Sequence, residues 1–206
     1  MGHQSHPEFV TLHALRIKGF APVPTLAEMS AAPETHVHEH LNDFEQAGHV
    51  QFREARGLWQ LTPDGRQVHA ERLADEIERA RTTERLTEFY RPFLEHNAEF
   101  KQLCTDWQLR DGAPNDHTDA EYDRDVIERL HSLHTTAAPI VGGLAEVLVR
   151  LGPYAPRLEQ VLRRVASGDT MLFTGVMCGS YHDVWMELHE DLILTQGIDR
   201  SAEGSF

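Results

Sequence analysis

Between Ser180 and Leu192 the chain reads Ser-Tyr-His-Asp-Val-Trp-Met-Glu-Leu-His-Glu-Asp-Leu. In a helix, Tyr181, Val184, Trp185, Leu188 and Leu192 form an apolar stripe, with His182, Met186 and His189 beside it at i, i+4 and i+7. Other groups with usable chemistry come earlier: Cys104 and Trp107 in Cys-Thr-Asp-Trp-Gln, then Asn115, His117 and Tyr122, then His131 and His134. Three kinds of chemistry fit these residue types. Aromatic walls with a few polar tips hold an organic effector between helices, and Cys104, Trp107, His117, Tyr122, His134, Tyr181, His182, Trp185 and His189 are the candidate lining. The same side chains also serve as core residues whose polar tips find partners. A metal site would draw on His182, His189 and a carboxylate or Cys104, because neutral imidazole is the commonest ligand. However, helical positions seven residues apart stand about 10 Å apart along the axis, too far to share one ion unless both side chains bend inward. No His-Glu-x-x-His pattern occurs either, so no metal is assigned.

Catalysis has less behind it. No Gly-rich phosphate loop, no Gly-x-Ser-x-Gly elbow and no carboxylate pair stands out from the general acidity. Asp106, Asp116 and His117 contain a base and its orienter, but a chain with 14 histidines and 33 acids produces such neighbours by chance. The expectation is a protein that is not an enzyme, with no catalytic residue and no cofactor that the residues identify.

Helices must position the candidate lining. From Pro92 onward the pattern predicts helices over Phe93–Leu109, Ala120–Thr136, Pro139–Leu151, Arg157–Val165 and Ser180–Gln196. A polar loop, Arg110–Asp119, lies between the first two, and Gly152-Pro153, Ser167-Gly168 and Gly197 close the later ones. This predicts an all-α bundle of about five helices. Ahead of it, an unbroken helical pattern runs from Asp64 to Tyr90, about 39 Å long, with a thin stripe of Val68, Leu73, Ile77, Leu86 and Phe89. Such a helix links two units or pairs with a copy of itself, which points to a homodimer.

The stretch from Thr25 to Arg66 follows a different plan. Thr25 can cap a short helix to Ser30, Ala31-Ala32-Pro33 turns, and Val37, Leu41 and Phe44 mark the buried stripe of a second helix over Glu34–Gln46, with a first supporting helix at Glu8–Lys18. Thr35, His36, Glu39, His40, Asn42 and Asp43 lie off that stripe. Gly48 ends the helix, and Val50–Arg53 and Leu58–Leu61 alternate around Glu54–Gly57 as a two-stranded ribbon. Thr62-Pro63 then opens the next helix. These elements read as a winged helix-turn-helix. The order, with Ala-Gly-His-Val leaving the second helix and Leu-Thr-Pro-Asp-Gly-Arg entering the next, resembles the MarR-type winged-helix transcription regulators over roughly the first third of the chain. The resemblance implies that the helix at Glu34–Gln46 enters the major groove of duplex DNA, through Thr35, His36, Glu39, His40 and Asn42, while Arg53 and Arg56 on the wing touch the backbone. The later motifs Cys-Thr-Asp-Trp-Gln-Leu, Asn-Asp-His-Thr-Asp and Ser-Tyr-His-Asp-Val-Trp-Met-Glu-Leu-His-Glu-Asp-Leu resemble the helical domain of some actinobacterial relatives of phosphoenolpyruvate-utilising enzymes, which adds a domain partnership.

The expected fold is therefore mainly α: a winged unit with a small two-stranded wing at 1–75, a connecting helix at 76–91 and the helical domain at 92–206. The expected function is a DNA-binding transcription regulator whose helical domain senses a small-molecule effector. The alternative is an interaction module whose winged fold has given up DNA. Charge bears on that choice. The chain carries a net charge of -14, with 6 basic and 10 acidic side chains up to Asp75 and 13 and 23 beyond it, so neither part offers a basic nucleic-acid surface. The helix at Glu34–Gln46 has no Lys or Arg at all. Protonation of His36, His38, His40 and His49 would add positive charge there, predicting tighter DNA binding near pH 6 than near pH 8. No apolar run approaches the roughly 18 residues that a membrane span needs, and the first residues lack the apolar core of a signal peptide. The expectation is a cytoplasmic protein with no membrane partner, and with Cys104 and Cys178 as free thiols.

Overall fold

The computed structural model describes residues 2–198, and among them the chain is mainly helical with a small antiparallel sheet. The order begins α1 (Pro7–Lys18), β1 (Phe20–Ala21), α2 (Val23–Ser30), α3 (Glu34–Gln46), β2 (Val50–Arg53), β3 (Leu58–Leu61) and α4 (Pro63–Ala80). Strand order is β1-β3-β2, with Phe20 opposite Gln60 on one side of β3 and Phe52 opposite Trp59 on the other. The ribbon expected from the sequence is thus present residue for residue, with a third short strand added to it. Val37, Leu41 and Phe44 turn α3 onto a core that includes Leu12, Leu15, Leu26, Val50, Trp59 and Leu61. Thr25 is not the cap of α2; the helix starts earlier, at Val23, behind Pro22 in extended conformation, because Pro24 suits the first turn of a helix.

Thr62 caps α4 by accepting the Gly65 N–H at 3.0 Å, while its hydroxyl donates to the Gly48 carbonyl at 2.7 Å. That pins the helix entrance against the turn at Gly48. A Cβ on Gly65 would stand 1.8 Å from the His49 carbonyl oxygen, a backbone atom already held by the Thr62 N–H at 3.0 Å. Gly65→Ala is therefore expected to cost about 3 kcal/mol or more, in the range of severe overpacking. A urea unfolding midpoint equal to that of the parent would contradict this.

The second half comprises α5 (Thr83–Gln108), β4 (Leu109–Arg110), β5 (Ala113–Pro114), α6 (Ala120–Gly143), two short 3-10 turns at Leu144–Glu146 and Val149–Leu151, α7 (Tyr154–Ala166), a third such turn at Thr170–Leu172, and α8 (Tyr181–Gln196). Its core runs from Leu86 to Ile193 and is separate from that of the first half. Several boundaries differ from the sequence expectation. The single helix from Asp64 to Tyr90, and with it the connecting helix at 76–91, is two helices: Arg81 adopts a left-handed conformation, φ 50°, and α5 starts anew at Thr83. Pro92 does not end a helix but lies inside α5, and Pro139 lies inside α6. An internal proline costs about 3 kcal/mol. Against it stands the burial of Leu86, Tyr90, Phe93, Phe100, Leu103 and Trp107 along one continuous stripe, at about 1.5–3 kcal/mol per large side chain, so the stripe wins. In α6, Leu130, Leu133, Ala137 and Val141 do the same. The predicted helix at Pro139–Leu151 dissolves accordingly into the end of α6 and two tight turns. The polar loop after α5 contains a minimal hairpin, β4 with β5, around Asp111-Gly112, both at positive φ.

Residues 2–6 form a strap between the halves. The His3 N–H donates to the Val147 carbonyl at 2.9 Å, the Val149 N–H donates to the His3 carbonyl at 3.0 Å, and the chain then enters α1. No helix among the described residues is long and apolar enough to cross a membrane.

Candidate functional site

The side chains proposed to read DNA are not all available for it. On α3, Thr35, His36 and Glu39 are exposed, as is Asp43. His40 instead turns back onto α1, where its Nδ1 lies 2.9 Å from the Thr11 hydroxyl, and burial lowers its pKa. Asn42 donates to His38 at 3.0 Å one turn away. Arg53 and Arg56 are exposed at the tip of the β2-β3 ribbon. A groove of about 510 Å³ separates α3 from the ribbon, with Glu45, Glu54 and Asn42 on its walls.

The side chains proposed to line an effector pocket fall into two groups. Tyr181 and Trp185 are fully buried in an aromatic stack with Phe93 and Phe100, at centroid separations of 5.0–6.1 Å. The Trp185 indole N–H donates to Asn97 at 3.0 Å. His134 bridges the Tyr181 hydroxyl at 3.1 Å and Glu159 at 3.0 Å. His189 packs on Phe93 and Tyr90, and half-buried His182 packs on Phe100 with its pKa lowered by burial, so both imidazoles face α5. The cavity beside Trp185 and His134 measures about 20 Å³. That is room for one water and not for an organic molecule.

The second group lies two turns further along α5. Trp107 packs between Phe173 and His117, Tyr122 donates to the Asp106 carbonyl at 2.8 Å, and burial pushes the Cys104 thiol up to about 12. His117, at φ 56°, is held by Asp123 at 3.0 Å and by Asn115. These contacts lock the loop after the hairpin against α6. Among the described residues no three His, Cys, Asp or Glu side chains gather as a set able to hold a metal ion.

The most unusual chemistry lies where the two halves meet, and it draws on Asp191 and Glu187 of the Ser180–Leu192 motif, acidic residues that were not among the candidate site residues. Arg150, in the turn after α6, is 6% exposed and makes four bonds: Nε to Glu76 of α4 at 2.8 Å, Nη1 to Asp191 of α8 at 2.6 Å and to His13 of α1 at 3.0 Å, and Nη2 to Thr195 at 2.8 Å. Asp191 also accepts from Thr195 at 3.0 Å and from the Tyr154 hydroxyl at 3.0 Å, and sits 2.9 Å from His13 Nε2. Burial would raise the Asp191 pKa, but Arg150, His13 and these hydrogen bonds outweigh it and hold the carboxyl well below the usual carboxylate range. Burial pushes Tyr154 well above its ordinary value, reinforced by Asp191, so it stays a donor. His13 Nδ1 lies 2.8 Å from His69 Nε2, and the two rings stack with Phe9 at 5.0–5.7 Å. Burial is the main reason both imidazoles are held down, His69 to about 2, with Arg150 contributing to each. A second cluster lies beside the first: Glu187 of α8 takes Lys18 of α1 on one oxygen and Arg157 of α7 on the other, and Arg157 reaches Glu28 of α2 at 3.1 Å.

Each of α1, α2 and α4 is thus bonded to the bundle through charge, while α3 and the ribbon remain turned away from it. A signal for these residues existed in the sequence. Arg150 interrupts the apolar run Val147-Leu-Val-Arg-Leu151, and Asp191 precedes Leu-Ile-Leu, positions where a charge must find a partner.

Comparison of the chain with protein-family models, with curated proteins and with solved structures gives no match.

Proposed function

We propose that the protein is a DNA-binding transcription regulator of the winged-helix type, acting as a homodimer, whose helical half reports a small-molecule effector to the DNA-reading half. The observation that supports this best is the division of labour in the first half. The succession α1-β1-α2-α3-β2-β3 with sheet order β1-β3-β2 is the order that a winged helix would have, and every helix of the unit except α3 is spent on docking. α3 keeps one face in the core and presents the other, beside the ribbon, to solvent. In a dimer, two such faces meet half-sites about one helical turn apart. The charged junction is the natural transmitter, because a bonded cluster has discrete settings and both halves contribute to it.

One observation favours a second reading. The exposed face of α3 carries Glu34, Glu39, Asp43 and Glu45 and no cation, which favours a basic protein partner over a phosphate backbone. Titration of labelled duplexes from the gene's own neighbourhood at low and high salt separates the two. The regulator reading expects binding, with Arg53→Ala and Arg56→Ala weakening it across all sequences and flattening the slope of log K against log salt by about 0.9 for each phosphate left without its arginine. Absence of binding to every duplex at low salt would leave the interaction module standing.

A further inference from the structure

An open groove of about 650 Å³ runs along α4 where the two halves meet, and it has the size of a small-molecule site. One wall is a single face of α4, with Arg66, Ala70, Leu73, Ala74 and Ile77 at i, i+4, i+7, i+8 and i+11, about 17 Å from end to end. The last turn of α8 supplies the other wall through Leu194 and Gly197. Ala70 and Ala74 are exposed. Two small side chains on a face otherwise carrying leucine and isoleucine leave an apolar trough open to water, the mark of a surface that takes a ligand.

Charge says which ligand. Arg66 lies at one end of the trough, exposed and with no ion-pair partner among the described residues. Arg16 also lines the groove; its side chain is 32% exposed, and its carboxylate neighbour, Glu190, stands 3.6 Å away, beyond hydrogen-bond reach. Both guanidinium groups are therefore open to a molecule arriving from solvent. His69, one turn from Arg66, is also part of the lining, and there Arg16 and Arg150 act more strongly than Asp191. This end is locally positive in a chain whose net charge is -14. Glu78 lies at the far end, about 18 Å from Arg66 along the helix and more than twice the screening length of about 8 Å, so it does not cancel the cationic end.

We infer that this groove binds an organic anion with an apolar tail, a medium-chain carboxylate, with its head on Arg66 and Arg16 and its tail along Leu73, Ala74, Ile77 and Leu194. Arginine suits the head because its planar donors match a carboxylate. The assignment deepens the regulator reading by placing the effector site at the junction and not in the bundle core; it rests on that reading for the consequence of binding and not for binding itself. The groove joins Arg16 of α1 and the face of α4 to the end of α8, so a tail lying across it fastens the first half to the second.

The test is calorimetric titration and thermal unfolding of the full chain with sodium octanoate, against octanol, octylamine and sodium butanoate. At tenfold excess over its dissociation constant octanoate is expected to raise the melting temperature by about 3–6 °C. Octanol offers the arginines no charge and octylamine repels them, so each is expected to bind at least about tenfold more weakly. Butanoate has the same head and a shorter tail; at about fourfold per buried methylene it is expected to show no binding in the same range. Arg66→Ala is expected to weaken octanoate about tenfold. Ala74→Phe fills the trough from an exposed position and is expected to abolish binding. Arg79→Ala removes an equal charge from outside the groove and is expected to leave affinity within about twofold. The inference is overturned if octanol or octylamine binds as tightly as octanoate, if Arg66→Ala or Ala74→Phe leaves the affinity unchanged, if sodium chloride at the same concentration produces the same shift, or if octanoate does not bind at millimolar concentration. DNA affinity does not enter these readouts. A chain that binds octanoate and no DNA keeps the site and loses the regulator, and the converse result does the opposite.

Discussion

Arg150→Ala is expected to cost about 3–5 kcal/mol, the range for removing one partner from a buried charge pair. The substitution strands Asp191 and Glu76, both at least nine-tenths buried, and removes a donor from Thr195. Because the two halves have separate cores, the loss should also change the form of unfolding. The parent is expected to melt in one step and the variant in two, with Trp59 reporting the first half and Trp107 and Trp185 the second. A double-mutant cycle with Asp191→Ala separates the pair's coupling from the cost of an orphaned charge: the double variant should lose less than the sum of the single losses. A loss below about 1 kcal/mol for Arg150→Ala, with unfolding still in one step, would show the cluster to be a passive contact.

Acid should loosen the same junction well before it reaches the carboxylates. His13 and His69 have folded pKa values below the ordinary 6.5, so the unfolded chain takes up their protons first. Their contribution to stability is complete above about pH 6.5 and falls as pH falls, down to about pH 2 for His69. For His69 the loss is about 1.4 kcal/mol per pH unit below 6.5, hence about 2 kcal/mol at pH 5, and His13 acts in the same direction. Asp191 works in the opposite sense. Its depressed pKa gives stability that is present above the unfolded value near 3.9 and is lost only below it, so it does not offset the histidines in this window. The ionisable groups facing the two rings are Arg150, Asp191, Glu76 and Arg16. Melting temperatures at pH 7.5 and 5 are expected to differ sharply for the parent and by less for His69→Gln. Equal drops in the two proteins would mean that these rings are not the acid-sensitive element.

The sequence was most legible where local chemistry and burial agree. α3, β2 and β3 lie at the residues that periodicity and punctuation select, because Val37, Leu41 and Phe44 mark a helical face and Gly48, with φ 78°, ends it. The break between α4 and α5 left no such trace. Neither glycine nor proline marks Arg81, which takes the left-handed conformation at φ 50° that usually falls to glycine. Pro92 misled for the reverse reason, as a strong local stop signal overruled by a continuous buried stripe. The site was harder to read than the fold, because only isolated charges in apolar runs pointed to it. Aromatic and histidine residues draw attention, yet Trp185 and Tyr181 spend their chemistry on each other and on Asn97 and His134. Glu76 and Arg150, ordinary in composition, become unusual only when partners 74 residues apart are buried together.

The strap and the His13–Asp191 contact also bear on how the chain is made. His13 is synthesised 178 residues before the carboxylate it meets. During translation the first unit can complete its own core around Leu12, Leu41 and Trp59 while α8 is still inside the ribosome, and its docking face must wait. That face carries the polar and charged side chains of His13, Lys18, Glu28, His69 and Glu76, with the ring of Phe9 stacked on the two imidazoles. A nascent chain can leave such a surface in water without inviting aggregation, and it can become dry only when the last helix emerges.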